Sequence, residues 1–386
     1  MGRMILTGAR LFDGARCLDG QAVVIEGDRI AAILPASDLP ASDFPEAARI
    51  ELGGGLLAPG LIDLQVNGGG GVMLSGADPL AEIAAICAAH ARLGATGVLP
   101  TLITTSARLT RAVLAAGVAA VGRVPGFLGL HLEGPHLDPK RPGCHPAQHI
   151  RPMTEEDVLT LCEARAGLPA LLLTVAPASV TPDQIARLTE AGVVVALGHA
   201  DCSMAEAQAA FDAGARVVTH LFNAMSQLGS REPGLVGAAL SLPFACGLIA
   251  DGLHVSPESA RLAVRLAGER IFLVSDAMAV AGTDLTGFDL AGQRIHRANR
   301  ALRTENDTLA GADLSLPQAI RFCVKVLGLP PEQALAMATA RPAALIGSNR
   351  GGITPGLPAD LVHFTEDWQV TGVWQGGQLQ AKSPTA

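Results

Sequence analysis

The chain has 386 residues, 49% of them hydrophobic but only 3% aromatic and none tyrosine, with a formal charge of −8 at pH 7. An acidic balance with no stripe or tail of Lys and Arg excludes nucleic acid and anionic membrane as partners, though an anionic small molecule remains compatible if a local cationic pocket receives it. Seven scattered cysteines without a C-x-x-C pair exclude a disulfide framework, and no apolar run approaches the ~18 residues that span a bilayer or forms a signal-peptide core in the opening "MGRMILTGARLFDG", so a cytoplasmic protein is expected.

Taken in order, residues 1–55 alternate as half-buried strands do, in "RMILTGARLFDG" and "QAVVIEGDRIAAIL", with a turn expected at Gly27-Asp28. "ELGGGLLAPG" breaks that pattern with Gly53 to Gly55 and Pro59. Strand-like apolar runs then alternate with Ala-rich helical stretches such as "DPLAEIAAICAAHARLG" and "MAEAQAAFDAGA". The strands are placed at "LLAPGLIDLQV", "GVLPTLIT", "GFLGLHLEG", "ALLLTVAP", "VVVALGHA", "RVVTHLFN", "ACGLIADG" and "IFLVSDA". Their near-continuous hydrophobicity means burial on both faces, so the fold class expected over residues 56–349 is α/β, a (β/α)8 TIM-like barrel. An open doubly wound sheet is the alternative, but no G-x-G-x-x-G follows an early strand. The run Gly68 to Gly71 lacks the Lys-Ser/Thr of a phosphate loop and reads as a flexible strand-to-helix connection. Residues 350–386 return to strands in "ADLVHFTED" and "QVTGVWQGGQLQA", the latter folded back at Gly376-Gly377. Isolated hairpins are marginal, so the two ends are expected to pair in one small β-sandwich domain, residues 1–55 with 350–386.

One titratable residue stands at the carboxyl end of strand after strand: Glu133, His199, His220, Asp251 with His254, and Asp276. In a closed parallel barrel these ends meet on one rim, where active sites of this architecture are built. A lone histidine there is more often a hydrogen-bonded structural residue than a ligand. His199 and His220, however, lie one strand–helix repeat apart, on strands about 4.8 Å from each other, so both imidazoles can reach one ion. With Glu133 they form the three-ligand open set of a catalytic zinc site. His131, two residues before Glu133, reads as packing deeper in the barrel. Asp276 alone could be a helix N-cap; beside an ion it suits a base that takes a proton from water and later delivers it to a leaving group. The Pro- and Gly-rich stretch "EGPHLDPKRPGCHPAQHI" must be a loop over the rim, and any of His136, His145 and His149 on it could polarise a carbonyl. No G-x-S-x-G elbow appears, and Cys144 and Cys202 read as spectators, so covalent catalysis is the weaker expectation.

The stretches "HLEGPHLDPKRPGCHPAQHI", "LGHADCSMAEA", "THLFNAMSQLGSREPGLVGAAL", "ADGLHV", "LVSDAMAVAGT" and "GGITPGLPADLVHF" together resemble the N-acetylglucosamine-6-phosphate deacetylases of the amidohydrolase superfamily. "THLFNAM" with "REPGLVG" is the most specific part. The resemblance implies a metal-dependent hydrolase that removes acetate from N-acetyl-D-glucosamine 6-phosphate in amino-sugar catabolism. It implies one divalent ion, Zn first with Fe, Co or Mn as alternatives, held by Glu133, His199 and His220. Asp276 would be the general base and acid, and His145 would stabilise the oxyanion. Cys144, Asn223, Ala224, Arg231, Asp251, His254, Leu309, Ala310 and Gly311 would meet the substrate. Arg231 and His254 would serve the phosphate of the neighbouring subunit across a homodimer; the fork of an arginine suits phosphate oxygens and supplies the local positive charge an acidic protein lacks.

One departure from the superfamily matters. Where many amidohydrolases end the first strand with His-x-His, this chain has Gln65 and Asn67, weak neutral ligands and at most the remnant of a second metal position. No bridging lysine follows "LTVAPAS" either, so a single ion is expected. The alternatives are the N-acetylgalactosamine 6-phosphate epimer, another amidohydrolase reaction, and, from another class, a silent sugar-phosphate sensor. The last should have lost Asp276 or a ligand, and none is missing.

Overall fold

Runs that are hydrophobic on every side can be covered only by packing against neighbours on both faces, and all eight do so. In the computed structural model, which describes residues 2–39 and 47–380, they form one parallel sheet with each strand bonded to its neighbour in sequence. The strands are Ile62–Val66, Gly97–Ile103, Leu130–Glu133, Leu171–Val175, Val194–Leu197, Val217–Val218, Ala245–Leu248 and Ile271–Leu273. The sheet curls until its last strand meets its first. At the carboxyl end the two are joined directly, Asp276 N donating to Gln65 O at 3.0 Å and Asn67 N to Ala277 O at 2.9 Å. At the amino end a helical segment is wedged between them, Ile62 N bonding Ala338 O and Leu273 N bonding Met337 O, each at 2.8 Å.

The covering helices start where the sequence offers a cap. Thr154 with Asp157, Thr181 with Gln184 and Ser203 with Glu206 form reciprocal capping boxes on helices Glu155–Gly167, Pro182–Glu190 and Met204–Asp212. Each box satisfies two backbone groups that the first turn cannot, which is worth about 1 kcal/mol.

The run 56–66 is two strands, not one. Leu56–Pro59 lies between Arg10–Phe12 and Leu361–Phe364 in a six-stranded sheet, and the barrel begins only at Ile62. Gly60 makes the break: a Cβ there would sit 2.0 Å from Thr96 Oγ1, so no larger residue fits the corner. The uninterrupted hydrophobicity of both strands hides the division. A four-stranded sheet containing Arg3–Thr7, Gln21–Glu26, Arg29–Pro35 and Ala48–Glu51 faces the six-stranded one, with Leu6, Val23, Ile25, Leu57, Leu361 and Trp374 packed between them. Both chain ends thus build one β sandwich; residues 1, 40–46 and 381–386 of the segments 1–55 and 350–386 lie outside the described residues.

Two further elements depart from the expectation. Gly68 to Gly71 is no flexible connection: Gly68–Gly69 and Val72–Met73 form a small hairpin locked against the last strand's continuation, and a Cβ on Gly68 would meet Val72 O at 2.5 Å and Ala279 N at 2.7 Å. After the eighth strand the chain forms an antiparallel meander, Gly287–Leu290, Gln293–Ala298, Ala301–Thr304 and Leu309–Ala312, which packs on Met278 and Val280. No helix starts at Asp276, so its carboxylate is not an N-cap.

Candidate metal centre and active site

The strand ends deliver their side chains into one cavity of about 570 Å³, lined by Asn67, Glu133, Cys144, His145, His199, His220, Asn223, Ala224, His254, Asp276, Leu309 and Gly311 among others. Its size suits a sugar phosphate. To aim inward, the backbone bends sharply as each strand ends: His199, His220 and Asp276 have φ of 46°, 27° and 52°. Such left-handed conformations are unfavourable for residues with a Cβ and are held only where surroundings over-determine them, typically at functional sites.

At the cavity floor the Glu133 Oε1 atom lies 3.0 Å from His220 Nε2 and 3.4 Å from His199 Nε2, and the two Nε2 atoms are 3.1 Å apart. Four ligands at the corners of a tetrahedron with ~2.0–2.1 Å bonds to zinc are separated by ~3.3 Å, so these three atoms are spaced to share one cation. The His199 Nδ1–H donates to Arg141 O at 2.9 Å, which leaves Nε2 with its lone pair free, the usual outer support of a metal-bound imidazole. His145 also belongs to the cluster. Its ring stands edge-on to His199 with centroids 4.4 Å apart, and its ligand atom lies within 4.8 Å of those of Glu133 and His199. Chemistry separates it from the other two. Thr104 N–H donates to His145 Nδ1 at 3.2 Å, so the proton of the neutral ring resides on Nε2, 3.5 Å from Glu133 Oε2. His145 therefore presents a donor to the cavity rather than a lone pair.

The electrostatics follow from burial against pairing. Burial pushes the Glu133 carboxyl upward, but its interactions with the His145, His199 and His220 rings outweigh it and hold the group well below the usual carboxylate range. Burial disfavours a charged His220, yet the bond to Glu133 wins and raises its pKa. His145 is lowered, by burial first and then by His199. Asp276 is pushed up to about 6 by burial and by the charge of Glu133. Its Oδ1 accepts from Asn67 Nδ2 at 2.6 Å and from Gln65 Nε2 at 3.1 Å, and the same Gln65 group donates to Glu133 Oε1 at 3.2 Å. Cys144 is pushed up to about 12 by burial and stays a thiol.

Of the three loop histidines only His145 reaches the cluster. His136 turns away, accepting no role in the cavity: its Nδ1 bonds Arg151 O at 3.1 Å and its Nε2 lies 3.9 Å from Asp157. His149 is not among the cavity-lining residues. His131 is buried as expected, but hydrogen-bonded rather than merely packed, its Nε2 lying 2.8 Å from Thr174 Oγ1. Asp251 does not line the cavity; both its oxygens are used on the backbone of Leu253 and His254 and, at 2.6 Å, on His254 Nδ1, so that it orients His254. Ala310 is buried behind the lining residues Leu309 and Gly311. Arg231 is exposed on the rim and is not brought into this chain's own cavity.

Sequence reasoning missed several contributors. Thr104 meets His145 Nδ1 through both its backbone N–H and its hydroxyl, and Lys140, Arg141 and Arg303 add positive charge to the cavity wall. Asp63 is fully buried beneath the site; burial pushes it up to about 7 against the pull of its bonds to Ser275 and Gln65. The alternation that points Gln65 and Asn67 into the barrel is the signal that places Asp63 on the same face.

Comparison with known proteins adds the following. The profile described as the amidohydrolase family matches residues 56–379, and that of the NagA composite domain matches residues 4–57. The N-acetylgalactosamine-6-phosphate deacetylase of Shewanella sp. (strain ANA-3) is 38% identical over 97% of this chain and 95% of its own. The N-acetylglucosamine-6-phosphate deacetylase of Haemophilus influenzae is 32% identical over 92% and 94%. Among solved structures, N-acetylglucosamine-6-phosphate deacetylase from Pasteurella multocida superposes with a TM-score of 0.94 at 32% identity, covering 98% of this chain and all of that one. A mutant of the Mycobacterium smegmatis enzyme, in complex with N-acetyl-D-glucosamine-6-phosphate, gives 0.90 at 31% identity, covering 99% and 100%.

Proposed function

The chain belongs to the amidohydrolase family, and from that membership we propose that it hydrolyses the acetamido group of N-acetyl-D-glucosamine 6-phosphate, yielding D-glucosamine 6-phosphate and acetate. The observation that carries this reading is the convergence of Glu133, His199 and His220 beside Asp276 in a cavity of sugar-phosphate size. Glu133, His199 and His220 would hold one divalent ion; two nitrogens and one carboxylate oxygen suit Zn, with Fe, Co or Mn as other occupants. When bound, such an ion polarises a water molecule and lowers its pKa. Gln65 and Asn67 turn amide N–H groups, not oxygens, toward Glu133 and Asp276, which favours a single ion.

The chain's own groups then account for the proton traffic. Asp276 takes a proton as the water oxygen bonds to the acyl carbon. His145 donates its Nε2–H to the amide oxygen as negative charge builds there, the role of an oxyanion donor. Asp276 returns the proton to nitrogen, the C–N bond breaks, and acetate leaves with the free amine behind.

Of the two residues expected to serve the phosphate across a dimer, His254 instead lines this chain's own cavity, held by Asp251, so it would take the phosphate in cis; Arg231, exposed and outside its own cavity, would be supplied by a second copy in a homodimer. Seven free cysteines fit a reducing cytoplasm, and among the described residues no helix is long and apolar enough to cross a membrane. The galactosamine epimer is the second reading, favoured by the 38% identity to the Shewanella enzyme. Elemental analysis of purified protein with an acetate-release assay on both epimers tests the proposal. Release from N-acetylglucosamine 6-phosphate with about one metal per chain is expected; metal-free protein with no acetate from either epimer would sink it.

A further inference from the structure

The barrel seam holds a buried carboxylate that catalysis does not use. The first and eighth strands share no ladder: at the amino end they are held apart by Met337 and Ala338, and at the carboxyl end they rejoin through Asp276 N and Gln65 O. Between those levels no main-chain hydrogen bond joins the two strands, and the Asp63 side chain bridges them instead. Its Oδ1 and Oδ2 each accept from Ser275 N at 3.2 Å, and Oδ1 also accepts from Gln65 N at 3.2 Å. Ser275 Oγ in turn accepts from Ala277 N at 3.2 Å. Asp63 thus satisfies the amide just before Asp276, a residue whose φ of 52° must be imposed by its neighbours. A barrel interior at this depth is ordinarily filled by branched apolar side chains, so a buried acid there calls for a function.

We propose that Asp63 is a positioning residue, clasping the first and last strands through Ser275 so that the Asp276 carboxylate is held in reacting position. This rests on the deacetylase reading above, because it assigns Asp63 an effect on turnover through Asp276.

The test uses the full-length, metal-loaded protein. Asp63→Ala and Asp63→Asn are made in the wild-type chain and in Asp276→Asn. Acetate release gives kcat and KM, elemental analysis gives metal content, and amide hydrogen exchange is followed over residues 271–279. Asp63→Ala should lower kcat at least about tenfold, as a displaced catalytic group does, with KM within about twofold, metal content unchanged and faster exchange at Ser275 and Asp276. Asp63→Asn keeps one acceptor and should recover part of the loss. In Asp276→Asn the same substitutions should cost nothing further. Wild-type kcat in Asp63→Ala, a loss that follows metal content, or an equal loss in the Asp276→Asn background overturns the proposal. Should Asp63→Ala not fold, Asp63→Asn carries the test with a fall of at least about threefold and the same exchange signature. Failure of the wild type to release acetate would sink the deacetylase reading instead, while the exchange result would still report on the clasp.

Discussion

Asp276, His145 and His220 are three buried titratable groups whose surroundings push them in different directions, and each carries its own expectation. Asp276→Asn removes the proton acceptor but keeps the shape that Asn67 and Gln65 hold, so turnover should fall about 10²–10⁴-fold with metal content unchanged. Near-normal acetate release would deny Asp276 its role. His145→Ala should cost about 10²–10³ in kcat, leaving metal occupancy intact if its Nε2 is a donor; loss of the metal would make it a ligand instead. His220 gives a pH dependence with a definite sign. Its pKa is raised by Glu133, so below that pKa the ring carries a proton that a cation must displace. Metal affinity should therefore rise with pH and uptake should release protons, measurable by calorimetry in buffers of different ionisation enthalpy. Affinity independent of pH would contradict ligation by His220. At this scale the sequence showed Glu133, His199, His220 and Asp276 because each interrupts an apolar run at the same point of its repeat. Thr104 stayed hidden because a backbone amide, which any residue possesses, meets His145, and Asp63 because its carboxylate serves the backbone amides of Ser275 and Gln65, which carry no side-chain signature.

The eight barrel strands were legible because burial on both faces leaves nearly unbroken hydrophobic runs. The meander at residues 287–312 was not. It is only half buried and its strands are short and mixed in polarity, so no apolar run marks them, even though Gly292, Asn299 and Asp307 stand at its corners with positive φ. Where glycine does occur there, it is required. Gly311 has φ of 63°, and a Cβ on it would lie 2.5 Å from Met278 Sδ and 3.0 Å from Asp276 O. Gly311→Ala should thus weaken substrate binding and turnover together, with stability lowered by about 1–2 kcal/mol. An unchanged KM, kcat and melting temperature would show the meander to be remote from the site.

At the scale of the whole molecule, a closed barrel joined to a sandwich of both termini followed from pattern alone, but the way the barrel closes did not. That the first and last strands would part around Met337 and Ala338 has no local signature, since it depends on where a distant helix lands. The proposed pairing of two copies carries a further expectation. If Arg231 serves the neighbouring site, mixing inactive Arg231→Ala and Asp276→Asn proteins should restore roughly a quarter of wild-type activity, because random pairing makes half the dimers mixed, each with one complete site. No recovery after subunit exchange would place Arg231 elsewhere. A last consequence lies in the sheet that threads Leu56–Pro59 between Arg10–Phe12 and Leu361–Phe364, stitched further by His363 Nε2 to Gly54 O at 2.8 Å, 309 positions apart. On the ribosome the opening strands must wait, with an unpaired flank, until almost the entire polypeptide has emerged. Translation speed and chaperone supply should consequently decide how much usable protein a cell obtains.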